Sequence, residues 1–254
     1  MITRKKPHYG YPLIYYIHII STAVFLLTVI ILAIVLQVSA IIIFVLIIML
    51  CVVIKFLIEY KKIFEKWKKK FVKKITDLAD IKGDEIILDL GTGAGLLSVN
   101  LAKKLNQGKV YGIDRWSWYP LLSSRLVLTM IFGSSMKNAR RNAQLEKVSE
   151  KCIYIKGDFN ERLDFNDNYF DLICSSQSLY FITDPNRLKF LLKEVNRVLK
   201  KDGKIIFFEP LKTSYEWNII NVQKILESHG YKTLIHHIKT PKRWTLNCIL
   251  LAER

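Results

Sequence analysis

The residues best suited to chemistry lie in a short glycine-rich turn. The turn begins at Asp89 and carries glycines at alternate positions, Gly91, Gly93 and Gly95, with Thr92 between the first two. Glycine lets the backbone approach a ligand closely, and the start of a following helix favours a carboxylate. A carboxylate two residues before the first glycine attracts a cation instead. The turn therefore predicts a ligand that carries both an ammonium and a carboxylate group.

Two further aspartates follow two later apolar runs. Asp114 ends the run VYGID, and Asp158 follows the run 152–155. Each of the three aspartates alone is also typical of a turn or a helix cap. In order, however, they come at the ends of three successive predicted strands, and open α/β sheets bind ligands at that edge. The spacing therefore predicts one binding edge lined by three carboxylates.

The elements that must position these residues follow from the hydrophobic pattern. Short apolar runs, as in buried parallel strands, alternate with segments of helical spacing. The predicted parallel strands are 85–90, 110–114, 152–155, 170–175 and 204–209, and two closing antiparallel strands are 231–237 and 244–250. The predicted helices are 96–105, 137–145, 185–199 and 218–228, with Asp184 as the cap of the third and a turn at 200–203 after it. The pattern predicts one α/β domain over residues 81–254.

On these motifs the chain resembles the class I S-adenosylmethionine-dependent methyltransferases, whose first motif is DxGxGxG at a strand-to-helix turn. The resemblance covers roughly residues 60–254 and implies a Rossmann-like α/β fold, a mostly parallel seven-stranded sheet with helices on both faces. It implies S-adenosylmethionine as cofactor, with Asp114 on the ribose hydroxyls and Asp158 facing the adenine amino group. The expected cofactor-binding residues are Asp89, Gly91, Thr92, Gly93, Gly95, Asp114, Arg115, Asp158, Phe159 and Ser175. The glycine spacing differs from the G-x-G-x-x-G of dinucleotide sites, and a carboxylate at Asp89 would repel a diphosphate, which disfavours a nicotinamide-dependent reductase.

The first part of the chain has a different composition. Between Lys6 and Lys55 there are 48 residues without Asp, Glu, Lys or Arg. One straight helix of that length would measure about 72 Å, more than twice the ~30 Å hydrocarbon thickness of a bilayer. We therefore predict an N-terminal two-helix transmembrane hairpin, with spans at about 13–36 and 39–58. A hairpin that dips into the bilayer without crossing is the alternative, whereas a cleaved signal peptide has a shorter apolar core.

Basic residues flank the predicted hairpin. Lysines precede the first span and follow the second, so both ends are expected in the cytoplasm, which makes this a multi-pass membrane protein with a cytoplasmic domain. Residues 61–74 hold eight Lys against one Glu, a large part of the net charge of +17. Apolar residues recur there at helical spacing, so we predict a basic amphipathic connecting helix over 59–80. Its expected partner is the membrane lipid surface, and nucleic acid is the disfavoured alternative.

The methyl acceptor is the least determined part of the prediction. An unusually apolar segment, 116–132, follows Asp114 and suggests an apolar acceptor such as a quinone, an isoprenoid or a phospholipid headgroup. Packing of this segment against the sheet is the competing interpretation. No catalytic residue is assigned, and Tyr180, Glu209 and the adjacent pair His236 and His237 are candidate bases only. No metal site is predicted, because the four cysteines are scattered and the two adjacent histidines point to opposite faces of a strand.

The sequence therefore predicts a membrane-tethered S-adenosylmethionine-dependent methyltransferase that acts on an apolar or membrane-associated small molecule. Two alternatives stay open: a membrane-anchored sensor or scaffold that binds the cofactor without turnover, and a methyltransferase that acts on a protein or a soluble small molecule. The oligomeric state is not predicted.

Overall fold

The computed structural model describes residues 7, 9, 13–37, 39–116, 134–158, 161–182, 184–212, 217–238 and 246–254. Residues 117–132 of the apolar segment 116–132 and the predicted site residue Phe159 lie outside these ranges. Two compact units are distinguished, Tyr11–Lys69 and a second unit formed by Met1–Gly10 and Lys70–Arg254.

Two helices make up the first unit, α1 at Leu13–Val35 and α2 at Ala40–Ala79, which continues beyond it. Between them, Gln37 has a φ of 52°, in the left-handed region. Helix α2 is uninterrupted, so the predicted second span and the predicted connecting helix are one element. The predicted membrane crossing finds no support. Within the described part of the chain, no helix is both long and apolar enough to span a bilayer.

A seven-stranded sheet forms the centre of the second unit and confirms the predicted α/β fold. The strands are β1 Ile86–Leu90, β2 Lys109–Asp114, β3 Cys152–Lys156, β4 Phe170–Ser176, β5 Leu199–Pro210, β6 Lys232–Ile238 and β7 Asn247–Glu253. Their order is β3-β2-β1-β4-β5-β7-β6. The first five are parallel, and β7 pairs antiparallel with both β5 and β6. The predicted turn at 200–203 lies inside β5, where the pairing with β4 shifts register.

Helices cover both faces of this sheet. They are α3 Leu96–Ala102, α4 Met136–Leu145, α5 Pro185–Val198 and α6 Ile219–Ser228, together with the end of α2. Neighbouring residues of β5 show the two faces. Phe207 belongs to the apolar cluster that α5 and α6 cover, whereas the next residue, Phe208, stacks on Phe71 of α2 at 4.5 Å between ring centroids. Both phenylalanines of β5 are fully buried, and burying such a side chain contributes about 1.5–3 kcal/mol.

The order in which successive strands are added to the sheet reverses between β1 and β4, although the two strands themselves are parallel. From β1 the chain moves outward to β2 and β3, then returns to the other side of β1 for β4 and β5. At such a switch point the loops after the neighbouring strands diverge and leave a crevice beyond their carboxyl ends. The predicted site residues within the described ranges lie at or just after the carboxyl ends of β1, β2, β3 and β4, so the topology brings them to this one edge.

Candidate cofactor site

The glycine loop after β1 is left-handed at all three glycines. Gly91, Gly93 and Gly95 have φ values of 75°, 56° and 79°, a region that side chains with a Cβ adopt only with strain. The loop is closely packed at its end, because a Cβ at Gly95 would lie 2.7 Å from Tyr154 Oη. At Gly93 the nearest atom of the described residues to such a Cβ would be Ser134 Oγ at 3.7 Å, an ordinary contact distance. Among the described residues, the loop is therefore packed more tightly at Gly95 than at Gly93.

Asp89 lies beneath the loop and organises it. Its side chain is only 1% exposed. Its Oδ2 accepts hydrogen bonds from Thr92 Oγ1 at 2.9 Å and from the backbone N–H of Ser98 at 3.1 Å, and the Ser98 hydroxyl also donates to it. Asp89 thus ties the loop to the first turn of α3. Ser98 was missed in the sequence, where a serine inside an apolar helical segment gives no distinct signal.

Burial raises the pKa of Asp89 to about 6, although hydrogen bonds from Ser98 and Thr92 oppose this rise. The folded protein therefore keeps this proton up to about pH 6, whereas an unfolded chain releases it near pH 4. Since the folded state binds the extra proton in this window, ionisation of Asp89 lowers the free energy of unfolding as the pH rises from about 4 to 6.

We expect Asp89→Asn to remove this part of the pH dependence. The two proteins would be unfolded with urea at pH values from 4 to 7. As the pH rises from about 4 to 6, the wild type should lose up to about 3 kcal/mol of its free energy of unfolding relative to the variant, because the Asn side chain does not titrate. Glu209 contributes a slope of the same sign in both proteins and cancels in the difference. Parallel curves for wild type and variant would contradict the assigned environment.

Asp114 ends β2 and faces the glycine loop. Its Oδ2 accepts the N–H of Gly93 at 2.8 Å, and its Oδ1 accepts the N–H of Trp116 at 2.7 Å. Burial raises the pKa of Asp114, and these two bonds act in the opposite direction. One lone pair on each oxygen is left by these two bonds. Asp114 can thus present two acceptors side by side, as a vicinal diol such as that of ribose requires.

The carboxyl ends of β2 and β3 are joined by an ion pair. Arg115 Nη1 lies 3.0 Å from Asp158 Oδ2, and the arginine side chain is 48% exposed. The structure thus brings Asp158, which the resemblance placed at the adenine, together with Arg115, which was predicted to bind the cofactor. A planar guanidinium and a carboxylate beside it are suited to a heteroaromatic base, the first by stacking and the second by accepting an amino hydrogen.

On the other side of the switch point, Glu209 is fully buried at the end of β5. It accepts hydrogen bonds from Ser175 Oγ at 2.9 Å and from the backbone N–H groups of Ser178 and Leu179 at 3.0 and 3.1 Å. Burial raises the pKa of Glu209 to about 7, against these hydrogen bonds. Ser175 is therefore an anchor of the turn after β4, and Glu209 holds that turn from beneath.

Two of the candidate bases lie elsewhere. His236 and His237 are on β6, the edge strand, four strand positions from β1. At about 4.8 Å per strand this separation is about 19 Å, too far for a proton transfer at the glycine loop. Tyr180 is close to the turn that Glu209 holds, and its burial raises the pKa of its hydroxyl. The placement therefore favours none of the candidate bases.

Taken together, the left-handed glycine loop, the paired acceptors of Asp114 and the Arg115–Asp158 pair fit the amino acid, ribose and adenine parts of S-adenosylmethionine. The sheet order is that of the Rossmann-like methyltransferase fold, and the cofactor is S-adenosylmethionine. Residues 88–207 match the family model described as a methyltransferase domain.

Curated relatives cover the same region. The demethylmenaquinone methyltransferase of Lactobacillus johnsonii is 29% identical over 144 residues, which are 56% of this chain and 49% of that protein. The ribosomal protein L11 methyltransferase of Dictyoglomus thermophilum is 29% identical over 156 residues, which are 59% of this chain and 42% of that protein. The chain thus spans half or less of the length of these relatives, and their names differ in the acceptor.

Solved structures show the same fold. Magnesium protoporphyrin IX methyltransferase from Synechocystis, solved with bound S-adenosylmethionine, has a TM-score of 0.56. It is 19% identical, and the match covers 76% of this chain and 82% of that protein. At this identity the likeness shows the fold alone.

Proposed function

We propose that this protein transfers the methyl group of S-adenosylmethionine to a small apolar acceptor held at a membrane. The observation that carries the proposal is the single sheet edge at which the glycine loop, Asp114 and the Arg115–Asp158 pair come together. The apolar acceptor is supported by the composition of segment 116–132 and by the relative that is named for demethylmenaquinone.

When bound, S-adenosylmethionine would supply a methyl group on a sulfonium; transfer to the acceptor would leave S-adenosylhomocysteine and release the acceptor's proton to solvent. The residues of the chain bind and orient the two reactants. The glycine loop and Asp114 hold the cofactor on the β1–β2 side of the switch point. The turn held by Glu209 lies on the β4–β5 side, where the acceptor would enter. Glu209 already accepts hydrogen bonds from this turn, so its role is to fix the shape of the turn that lines the acceptor site.

Membrane attachment is the second part of the proposal. Many large apolar side chains of the unit Tyr11–Lys69 are exposed, including Phe25, Ile31, Phe44 and Ile48 at 65%, 55%, 63% and 47%. A monomeric soluble protein rarely exposes a contiguous apolar patch of more than a few hundred Å². The lysines that follow in α2 would meet anionic headgroups, each contributing about 1 kcal/mol at most. We infer that this unit embeds its apolar side chains in a bilayer.

Flotation on liposomes tests the attachment. We expect the protein to float with vesicles that contain anionic lipid, and to stay with them in high salt, because burial of apolar area is insensitive to screening. Loss of flotation in high salt would limit the contact to the lysines. A protein that remains at the bottom of the gradient without detergent would contradict the attachment. If the protein floats in high salt, protease protection of tags at residues 37–39 distinguishes a hairpin that crosses the bilayer from one that dips into it.

The acceptor is tested with methyl-labelled S-adenosylmethionine and an extract of the host. After incubation the label is partitioned between organic solvent, protein precipitate and water, with Asp114→Asn as the matched control. We expect label in the organic phase with the wild type only. Label in the precipitate or in water would replace the apolar acceptor with a protein or a soluble molecule. Cofactor binding without any transfer would favour a sensor or scaffold.

A further inference from the structure

Trp116 has a backbone conformation that is unusual for its residue type. It lies two residues after the end of β2, and its φ is +46°, in the left-handed region. Bulky side chains rarely occupy this region, at a cost of about 1–2 kcal/mol to the folded state. Surrounding contacts must hold such a conformation, and residues held in this way cluster at ligand-binding sites.

The contacts that hold Trp116 form a closed ring with the glycine loop. The N–H of Trp116 donates to Asp114 Oδ1 at 2.7 Å, and the indole Nε1–H donates to the carbonyl oxygen of Gly93 at 2.8 Å. The N–H of Gly93 donates to Asp114 Oδ2 at 2.8 Å. Gly93 is therefore held at both its N–H and its C=O, once by Asp114 and once by the indole.

This ring determines what Asp114 offers to a ligand. Of the described residues, the backbone N–H groups of Gly93 and Trp116 donate to Asp114, one to each oxygen. The first bond depends on the conformation of Gly93, whose carbonyl oxygen accepts the indole N–H, and the second is donated by the backbone of Trp116, which the same indole bond ties to the loop. If the indole N–H is lost, the left-handed Gly93 can rotate, and the second lone pairs of Asp114 are no longer directed to one place. Asp114 must keep them directed in order to bind two ribose hydroxyls together.

On this geometry we infer that Trp116 is a positioning residue for the cofactor. Its indole N–H holds the carbonyl oxygen of Gly93, so that Gly93 and Asp114 stay in the arrangement that presents Asp114 to the ribose. The inference rests on the proposed function, because it assigns a role within the same site. Trp116 acts through Gly93 and Asp114, and it is distinct from the residues that the sequence motif predicts.

The test compares Trp116→Phe with Trp217→Phe. The Trp217 indole also donates to a backbone carbonyl at 2.8 Å, that of Pro210, and Trp217 follows β5 rather than the glycine loop. Each substitution removes one indole N–H and keeps an aromatic ring. By calorimetric titration with S-adenosylhomocysteine, Trp116→Phe should bind about tenfold more weakly than wild type, as the loss of one well-placed hydrogen bond predicts. Trp217→Phe should bind as the wild type does, whatever its melting temperature.

A second readout needs no ligand. Amide hydrogen exchange at Gly93 should be about tenfold faster in Trp116→Phe than in wild type, and unchanged in Trp217→Phe. Wild-type affinity together with wild-type exchange in Trp116→Phe would overturn the role of Trp116, as would equal losses of affinity in both variants. A wild-type protein that does not bind S-adenosylhomocysteine would instead overturn the proposed function itself.

Discussion

Replacing Asp114 by Asn is expected to weaken binding of S-adenosylhomocysteine by at least about a hundredfold. Hydrogen bonds to a charged group contribute about 1.5–3 kcal/mol each, and the ribose would make two of them. The amide also replaces one acceptor oxygen by an NH₂ donor, which would face the N–H of either Gly93 or Trp116. Both the direct contacts and the arrangement of the loop are lost. Calorimetric titration at pH 7.5 measures the effect.

Asp77→Asn is the matched control for this prediction. Asp77 is 50% exposed on α2 and pairs with Lys73 at 2.7 Å, so its substitution removes the same charge away from the sheet edge. It should leave the affinity unchanged, since exposed ion pairs contribute little. Affinity of Asp114→Asn within threefold of wild type would mean that the ribose lies elsewhere.

Gly95→Ala is expected to destabilise the fold by about 3 kcal/mol or more and to abolish cofactor binding. The substitution imposes a left-handed conformation on a residue with a Cβ, at about 1–2 kcal/mol. In addition, the new Cβ would lie 2.7 Å from Tyr154 Oη and 3.3 Å from Tyr154 Cζ, which forces either β3 or the loop to move. Urea unfolding gives the stability, and titration with S-adenosylhomocysteine gives the affinity.

Gly230→Ala separates the cost of the left-handed backbone conformation from the cost of the steric contact with Tyr154. Gly230 has a φ of 87°, and a Cβ there would have none of the described atoms within 4 Å, so only the backbone cost applies. Its destabilisation should be about half that of Gly95→Ala or less. Removing the tyrosine hydroxyl in the double variant Gly95→Ala/Tyr154→Phe should restore part of the lost stability. Equal destabilisation by Gly95→Ala and Gly230→Ala would show that the loop is not packed against Tyr154.

Much of the sheet could be predicted from the sequence because its strands are buried on both faces. Continuous apolar runs such as EIILDL have few other structures available, and a carboxylate at the end of each run marks the ligand-binding edge. The helix cap at Asp184 was also predicted correctly, and its side chain accepts the N–H of Asn186 at 2.8 Å. In these cases, the residue types of a short segment were sufficient to predict its structure.

What the sequence did not predict depends on contacts between distant segments. The hydrogen bond from Ser98 to the buried Asp89 beneath the loop was not predicted. Residues 200–203, predicted as a turn, fall within the bounds of β5, but the register with β4 shifts there and regular pairing with β4 and β7 resumes at Lys204. The role of Trp116 depends on one bond to Gly93 across 23 positions, which no periodicity records.

A crystal structure of the complex with S-adenosylhomocysteine would show directly where the cofactor binds. We expect the ligand beyond the carboxyl ends of β1, β2 and β3, with both ribose hydroxyls within about 3 Å of the two oxygens of Asp114. The adenine should lie beside Arg115 and Asp158, and the amino acid moiety over Gly93. A ligand bound at any other edge of the sheet, or with its ribose away from Asp114, would contradict the account.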